Sequence, residues 1–213
     1  MTTQAKGFGV IRSRDDVEWA SYRVPEVHLM SEELTYVLDS MEKLIANTRD
    51  DQLALPTPCD QWTVRDLINH FVGGGHMFAM LYRGGSMPDM DGPVPDMLGS
   101  DPAAAAHDAR ADFDEAISEP GAMDRTVDLP VGPVPAPVGL QVATFDVLVH
   151  CWDLATATGQ RFDPPADVVA TADAVARQSL APAARGESFK AEVTPPAGAT
   201  PLDRLAAFTG RAI

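Results

Sequence analysis

The chain has 213 residues, 45% of them apolar and 22% charged, and a formal net charge of −15. That length holds one well-packed domain, or one domain with a short appendage. The acidic balance argues against nucleic acid or an anionic membrane as partner, since both select a basic face, and the apolar runs are too short and interrupted to span a bilayer.

Residues 1–28 mix Gly, Arg, Asp and scattered aromatics without periodicity, and are read as a partly ordered N-terminal extension. No continuous apolar stretch follows Lys6, so secretion is not expected. A first helix is expected from Ser31, an N-cap followed by Glu32 and Glu33, to about Asn47. Its buried stripe is Leu34, Val37, Leu38, Met41, Leu44 and Ile45. The loop Leu55-Pro56-Thr57-Pro58-Cys59-Asp60 leads to a second helix running to about Arg83. Thr63 and Asp66 form a capping-box-like pair at its start. Gly73, Gly74 and Gly75 each cost this helix roughly 1 kcal/mol against alanine, so the run marks either a helix break or, the favoured reading, close approach of another backbone.

Gly84 to Gly99 reads as a long loop. The methionines around it (Met77, Met80, Met87, Met90, Met97) suit either an irregular apolar pocket or plain loop packing. Asp101-Pro102 caps a third helix that stops before Pro120. Residues 124–138, rich in proline, suggest a short irregular hairpin or an extended crossing rather than a sheet. A fourth helix is expected over about Leu140–Thr158 with Gly159 closing it, and a fifth over Asp163–Leu180. Phe189–Val193 reads as extended, and Thr200-Pro201-Leu202-Asp203 as the capped start of a short last helix. The fold class is therefore all-α: a four-helix bundle at 29–180, preceded by the extension and followed by a C-terminal tail, 181–213, packing on it.

Metal-type ligands are divided between two of these helices. His70 closes Gln61-Trp62-Thr63-Val64-Arg65-Asp66-Leu67-Ile68-Asn69-His70, and Asp146 and His150 lie in Phe145–Leu154. Residues four apart share one helix face, so Asp146 and His150 present a carboxylate and an imidazole side by side. If His70 faces them, three N/O donors surround one ion and leave a position open, the layout of a reactive site. Separately the signals are weak, because a lone histidine is commonly a core or surface residue and an i,i+4 pair a surface contact. Together they are stronger. Phe145, Leu148, Val149 and Trp152 make Asp146 costly to bury without a partner, and a cation supplies one.

The other candidates fit less well. His76 points about 120° away from His70, His28 precedes the first helix, and His107 has no carboxylate at ligand spacing. Cys151 lies about 100° round the helix from His150, and Cys59 reads as a small buried loop residue. Two thiols in a domain this size imply no disulfide framework, and a cytoplasmic setting is the simpler reading. Asp153 either orients the His150 imidazole or is a solvated polar residue. Asp66 is a cap, and Trp62 and Trp152 are expected in the core near the site.

The blocks Thr57–Gly74, Asp146–Gly159 and Pro201–Arg211 resemble the actinobacterial metal-binding proteins of DinB-type fold, the family of the N-terminal domain of mycothiol-dependent maleylpyruvate isomerase. The resemblance covers roughly residues 31–211. It implies a DinB-like four-helix bundle holding a divalent ion, Zn2+ or Ni2+, through His70, Asp146 and His150. The family's acidic ligand is glutamate where this chain has the shorter Asp146, which changes how the ion sits. The isomerase's second domain has no counterpart here. Three functions stay open. One is a metal-dependent transferase or isomerase using a thiol such as mycothiol on a small electrophile. Another is a non-catalytic metal or small-ligand binder. The third is a biosynthetic enzyme with a repurposed cavity, with residues 1–28 as a lid or a homodimer contact.

Overall fold

The computed structural model describes residues 27–59, 62–87, 94–129, 132–180, 185 and 189–213, with side chains described from residue 32 onward. The expected extension therefore lies outside the described residues except for its last two positions. Six helices follow in chain order: α1 (Val27–Ala46), α2 (Val64–Tyr82), α3 (Pro102–Ser118), α4 (Ala136–Thr158), α5 (Ala166–Ser179) and α6 (Pro201–Phe208). Strands β1 (Thr126–Leu129) and β2 (Gly132–Pro135) form an antiparallel hairpin between α3 and α4. The fold is mostly α, with one small two-stranded sheet among the described residues.

Helix α1 packs on α3 and α4, and α2 packs on the same two, so the four close into a ring. α5 covers α4, and α6 packs on both. α4 is thus surrounded, which explains a helix that is apolar on nearly every side. No helix among the described residues is long and apolar enough to cross a membrane.

Local chemistry fixes most helix starts. The Thr63 hydroxyl accepts from the Asp66 amide at 3.2 Å, and the Asp66 carboxylate accepts from the Thr63 amide at 2.9 Å. Aspartate therefore closes this capping box as glutamate would. Thr200 and Asp203 repeat it at α6, and Asp101 accepts from the Ala104 amide at 3.0 Å to cap α3.

Three starts differ from the sequence reading. α1 begins at Val27, because in the sequence Val27 and Met30 continue the 3-4 apolar spacing that runs through Leu34, past Ser31. α4 begins at Ala136, which puts Pro137 in the first turn, where no amide donor is needed. α5 begins at Ala166, because Pro164 and Pro165 hold the residues before them out of the helical region. Where no sheet was expected, β1 and β2 pair as a regular two-stranded antiparallel sheet, with the prolines kept to positions that leave the pairing intact. The hairpin buries Val127, Leu129 and Val134 while Pro133 and Pro135 face out. Phe189–Val193 forms no strand; the Val193 amide donates to the Ala207 carbonyl at 2.9 Å.

The glycine run stays helical, and its members differ. A Cβ at Gly75 would lie 3.1 Å from both Cβ and the carbonyl oxygen of Ala109, so here α2 and α3 meet backbone to backbone. At Gly73 it would sit 3.5 Å from the Met97 sulfur, and at Gly74 it would meet nothing within 4 Å. Gly75→Val is expected to cost about 1–3 kcal/mol through overpacking. Gly74→Ala is expected to gain about 0.5–1 kcal/mol from helix propensity. Urea unfolding of the two variants checks both, and equal shifts would contradict the assignment.

Candidate metal centre

His70 lies in the second turn of α2, among the buried Leu67, Ile68, Phe71 and Val72. α4 brings Asp146 and His150 against it. His70 Nε2 lies 3.7 Å from Asp146 Oδ2, and His150 Nε2 lies 3.7 Å from Asp146 Oδ1. One donor atom from each of the three residues falls within 4.8 Å of the other two. The structure thus brings together the three residues that the sequence divides between two helices. Trp62, just before α2, sets its indole 4.7 Å from the His70 ring and stacks 5.7 Å from that of His150. His150 forms the inner wall at 8% side-chain exposure, and Asp146, at 34%, forms the side open to solvent.

The outer contacts orient His150. Its Nδ1 lies 3.0 Å from Asp153 Oδ2, and Asp153 has no exposed surface. Arg211 donates to both Asp153 oxygens, from one terminal nitrogen at 2.9 Å and from Nε at 3.3 Å. Burial works against the Asp153 charge, but Arg211 and His150 outweigh it and hold the carboxyl below its usual range. An ionised Asp153 only accepts, so Nδ1 donates to it at 3.0 Å, while Nε2 is turned toward Asp146 at 3.7 Å, beyond hydrogen-bond reach. Of the two readings of Asp153, the orienting one is what the contacts match.

The same balance sets the other donors. Burial opposes the Asp146 charge, yet His150, His70 and Arg211 together pull its carboxyl down to about 2. Burial lowers the His70 pKa despite the neighbouring Asp146, favouring neutral imidazole. Neutral imidazole and ionised carboxylate are the forms that ligate metal. Bonds of 2.0–2.2 Å in tetrahedral array separate donors by about 3.3–3.6 Å, so the observed 3.7 Å spacings suit an ion with little movement.

A second trio, Cys59, His150 and Asp153, also converges. The Arg211 guanidinium occupies it, 2.9 Å from Asp153 and 3.8 Å from the Cys59 sulfur, and a fixed cation there repels a metal. Cys59 is half-buried beside this cation, not a plain buried loop residue. Cys151 points away from the trio as expected. It is buried against the Val37 carbonyl, and burial pushes its thiol pKa up. His76 faces Asp112 at 2.7 Å and His107 faces Glu42 at 3.1 Å, while the side chain of His28 lies outside the described residues. Trp152 is buried, and its indole donates to Asp203 at 3.0 Å. Sequence reasoning missed Arg211; its one signal was an arginine inside the resembling block Pro201–Arg211.

These shifts give the metal-free protein a defined acid response. Below the ordinary histidine value of 6.5 the unfolded chain takes up a proton that folded His70 resists, so stability falls as pH falls from about 6.5. The contribution of Asp146 is complete above its ordinary 3.8 and is lost as pH falls toward about 2. Thermal unfolding against pH is expected to show both declines, and His70→Gln to remove the upper one. An upper decline unchanged in that variant would contradict the assignment.

Residues 34–155 match the family described as Mycothiol maleylpyruvate isomerase N-terminal domain. Two uncharacterized proteins of Mycobacterium tuberculosis, from strains CDC 1551 / Oshkosh and ATCC 25618 / H37Rv, are each 41% identical over 178 residues. Each alignment covers 82% of this chain and 93% of the relative. No solved structure matches. With more than half of the chain inside the family match and the three blocks in their places on α2, α4 and α6, the protein belongs to the DinB-like family of the mycothiol maleylpyruvate isomerase N-terminal domain.

Proposed function

We propose that His70, Asp146 and His150 hold one divalent ion, Zn2+ in the first instance and Ni2+ in the second. In our reading the protein uses it as a thiol-dependent transferase or isomerase acting on a small electrophile, with mycothiol as the thiol. The observation that carries this is the convergence of three donors, with His150 Nδ1 engaged by Asp153 so that Nε2 turns inward. A bound ion supplies Lewis acidity, which lowers the pKa of a thiol beside it so that thiolate is present at neutral pH.

The chain's own residues do the rest. Asp146 balances part of the ion's charge and marks the solvent side, where a small molecule enters. Trp62 screens both imidazoles from water with its ring. Met97, 38% exposed and beside Gly73 one turn from His70, offers a polarizable surface near that mouth. The family's description supports mycothiol as the thiol. We place the reaction in the cytoplasm, and the net charge of −15 disfavours nucleic acid and anionic membrane as partners.

Zinc content, measured by mass spectrometry after dialysis, is expected at one ion per chain. It should be lost in His150→Ala and His70→Ala, both folded by circular dichroism. Calorimetry of the zinc-loaded protein is expected to show mycothiol binding that a chelator abolishes. Zinc retained by both variants would remove the ligand assignment. Zinc-loaded protein that binds no thiol would instead leave the non-catalytic metal binder as the reading.

A further inference from the structure

Arg211 is a buried cation, 3% exposed, delivered by a built turn. After α6, the Gly210 amide donates to the Ala207 carbonyl and the Arg211 amide to the Ala206 carbonyl, each at 3.0 Å. Gly210 sits at φ +92°, and a Cβ there would fall 2.7 Å from Lys190 Cβ and 3.0 Å from its Cα. Only glycine fits, so the turn has one shape and aims Arg211 in one direction. The other end of α6 is held to α4 by the Trp152–Asp203 hydrogen bond. The guanidinium then reaches both oxygens of Asp153, and one terminal nitrogen also touches the Thr209 carbonyl at 3.4 Å.

A buried ion pair is a poor source of stability, because desolvation offsets its attraction and an apolar pair would pack as well. Its value here depends on what Asp153 does next. One of its oxygens takes the His150 Nδ1 bond, and neutral imidazole has a second tautomer that would carry its proton on Nε2 and offer an ion no lone pair there. A carboxylate that accepts only, and is clamped by two arginine donors, excludes that tautomer. We infer that Arg211 is a positioning residue of the metal centre. Through Asp153 it holds His150 as the Nδ1–H tautomer with Nε2 aimed at the ion, and the turn Thr209–Arg211 is thereby part of the centre. The inference rests on the reading of His150 as a metal ligand.

The test uses the full chain as wild type, Arg211→Lys, Arg211→Met, Gly210→Ala and Asp153→Asn. Arg211→Lys keeps the charge and most of the volume, so it keeps the test open if the methionine variant fails to fold. Two quantities are read. The first is the tautomer of His150 in metal-free protein at a pH where the ring is neutral, from ring-nitrogen chemical shifts in NMR. The second is the zinc dissociation constant, by competition with a chromophoric chelator. Both Arg211 variants and Gly210→Ala are expected to mix the two tautomers and weaken zinc by about 10–100-fold. Arg211→Met combined with Asp153→Asn should be no weaker than Asp153→Asn alone, because the two residues act in series. A folded Arg211→Lys that keeps a single Nδ1–H tautomer and wild-type zinc affinity, while His150→Ala loses zinc, would overturn this inference alone. Wild-type zinc binding by His150→Ala would overturn the ligand assignment beneath it.

Discussion

A carboxylate without exposed surface in the middle of an apolar helix, Asp153, is the constraint on which much of the molecule turns. Its charge costs several kcal/mol to bury, and the cost is met only when a cation is brought to it in good geometry. The cation comes from Arg211, 58 residues later in the chain. That requirement explains why the segment after α5 returns to α4, why α6 docks beside Trp152, and why Gly210 stands where a side chain would strike Lys190. Polar groups buried this deeply define one arrangement of neighbours, because any other leaves a charge uncompensated.

The placement of α4 follows from the same need for partners. Surrounded by α1, α2, α5, α6 and the hairpin, it carries its two carboxylates where each has a partner. Thr144 returns its hydroxyl to the Leu140 carbonyl, Asp153 takes Arg211 and His150, and Asp146 meets the two imidazoles. The centre therefore sits at the one stretch of α4 where polarity is concentrated, against the one histidine that α2 presents to it.

What the sequence discloses depends on how local the cause is. The boxes at Thr63–Asp66 and Thr200–Asp203 and the cap at Asp101 act within four residues, and all were legible. His70, Asp146 and His150 were legible because helical spacing and apolar flanks imply a shared face and a need for charge compensation. The starts of α1, α4 and α5 were not, because a continuing stripe or a proline in the first turn outweighs the residue that looks most like a cap. The close approach at Gly75 was anticipated for all three glycines but holds at that one, since only packing against Ala109 distinguishes it from Gly74. The role of Arg211 and the setting of Cys59 were not legible from local pattern: both depend on contacts across many residues, and no periodicity records them.

The ring order of the bundle bears on how the protein assembles. α2 and α4 are neighbours in space, yet α3 and the hairpin lie between them in the chain. Asp146 and His150 are adjacent as soon as a few turns of α4 exist, whereas His70 and Arg211 reach them only after long loops close, and such closures come late. A nascent or partly folded chain can therefore offer an ion a two-donor perch and nothing firmer. The complete donor set arises with the last tertiary contacts, so ion capture would report that folding has finished and would slow the first step of its reversal.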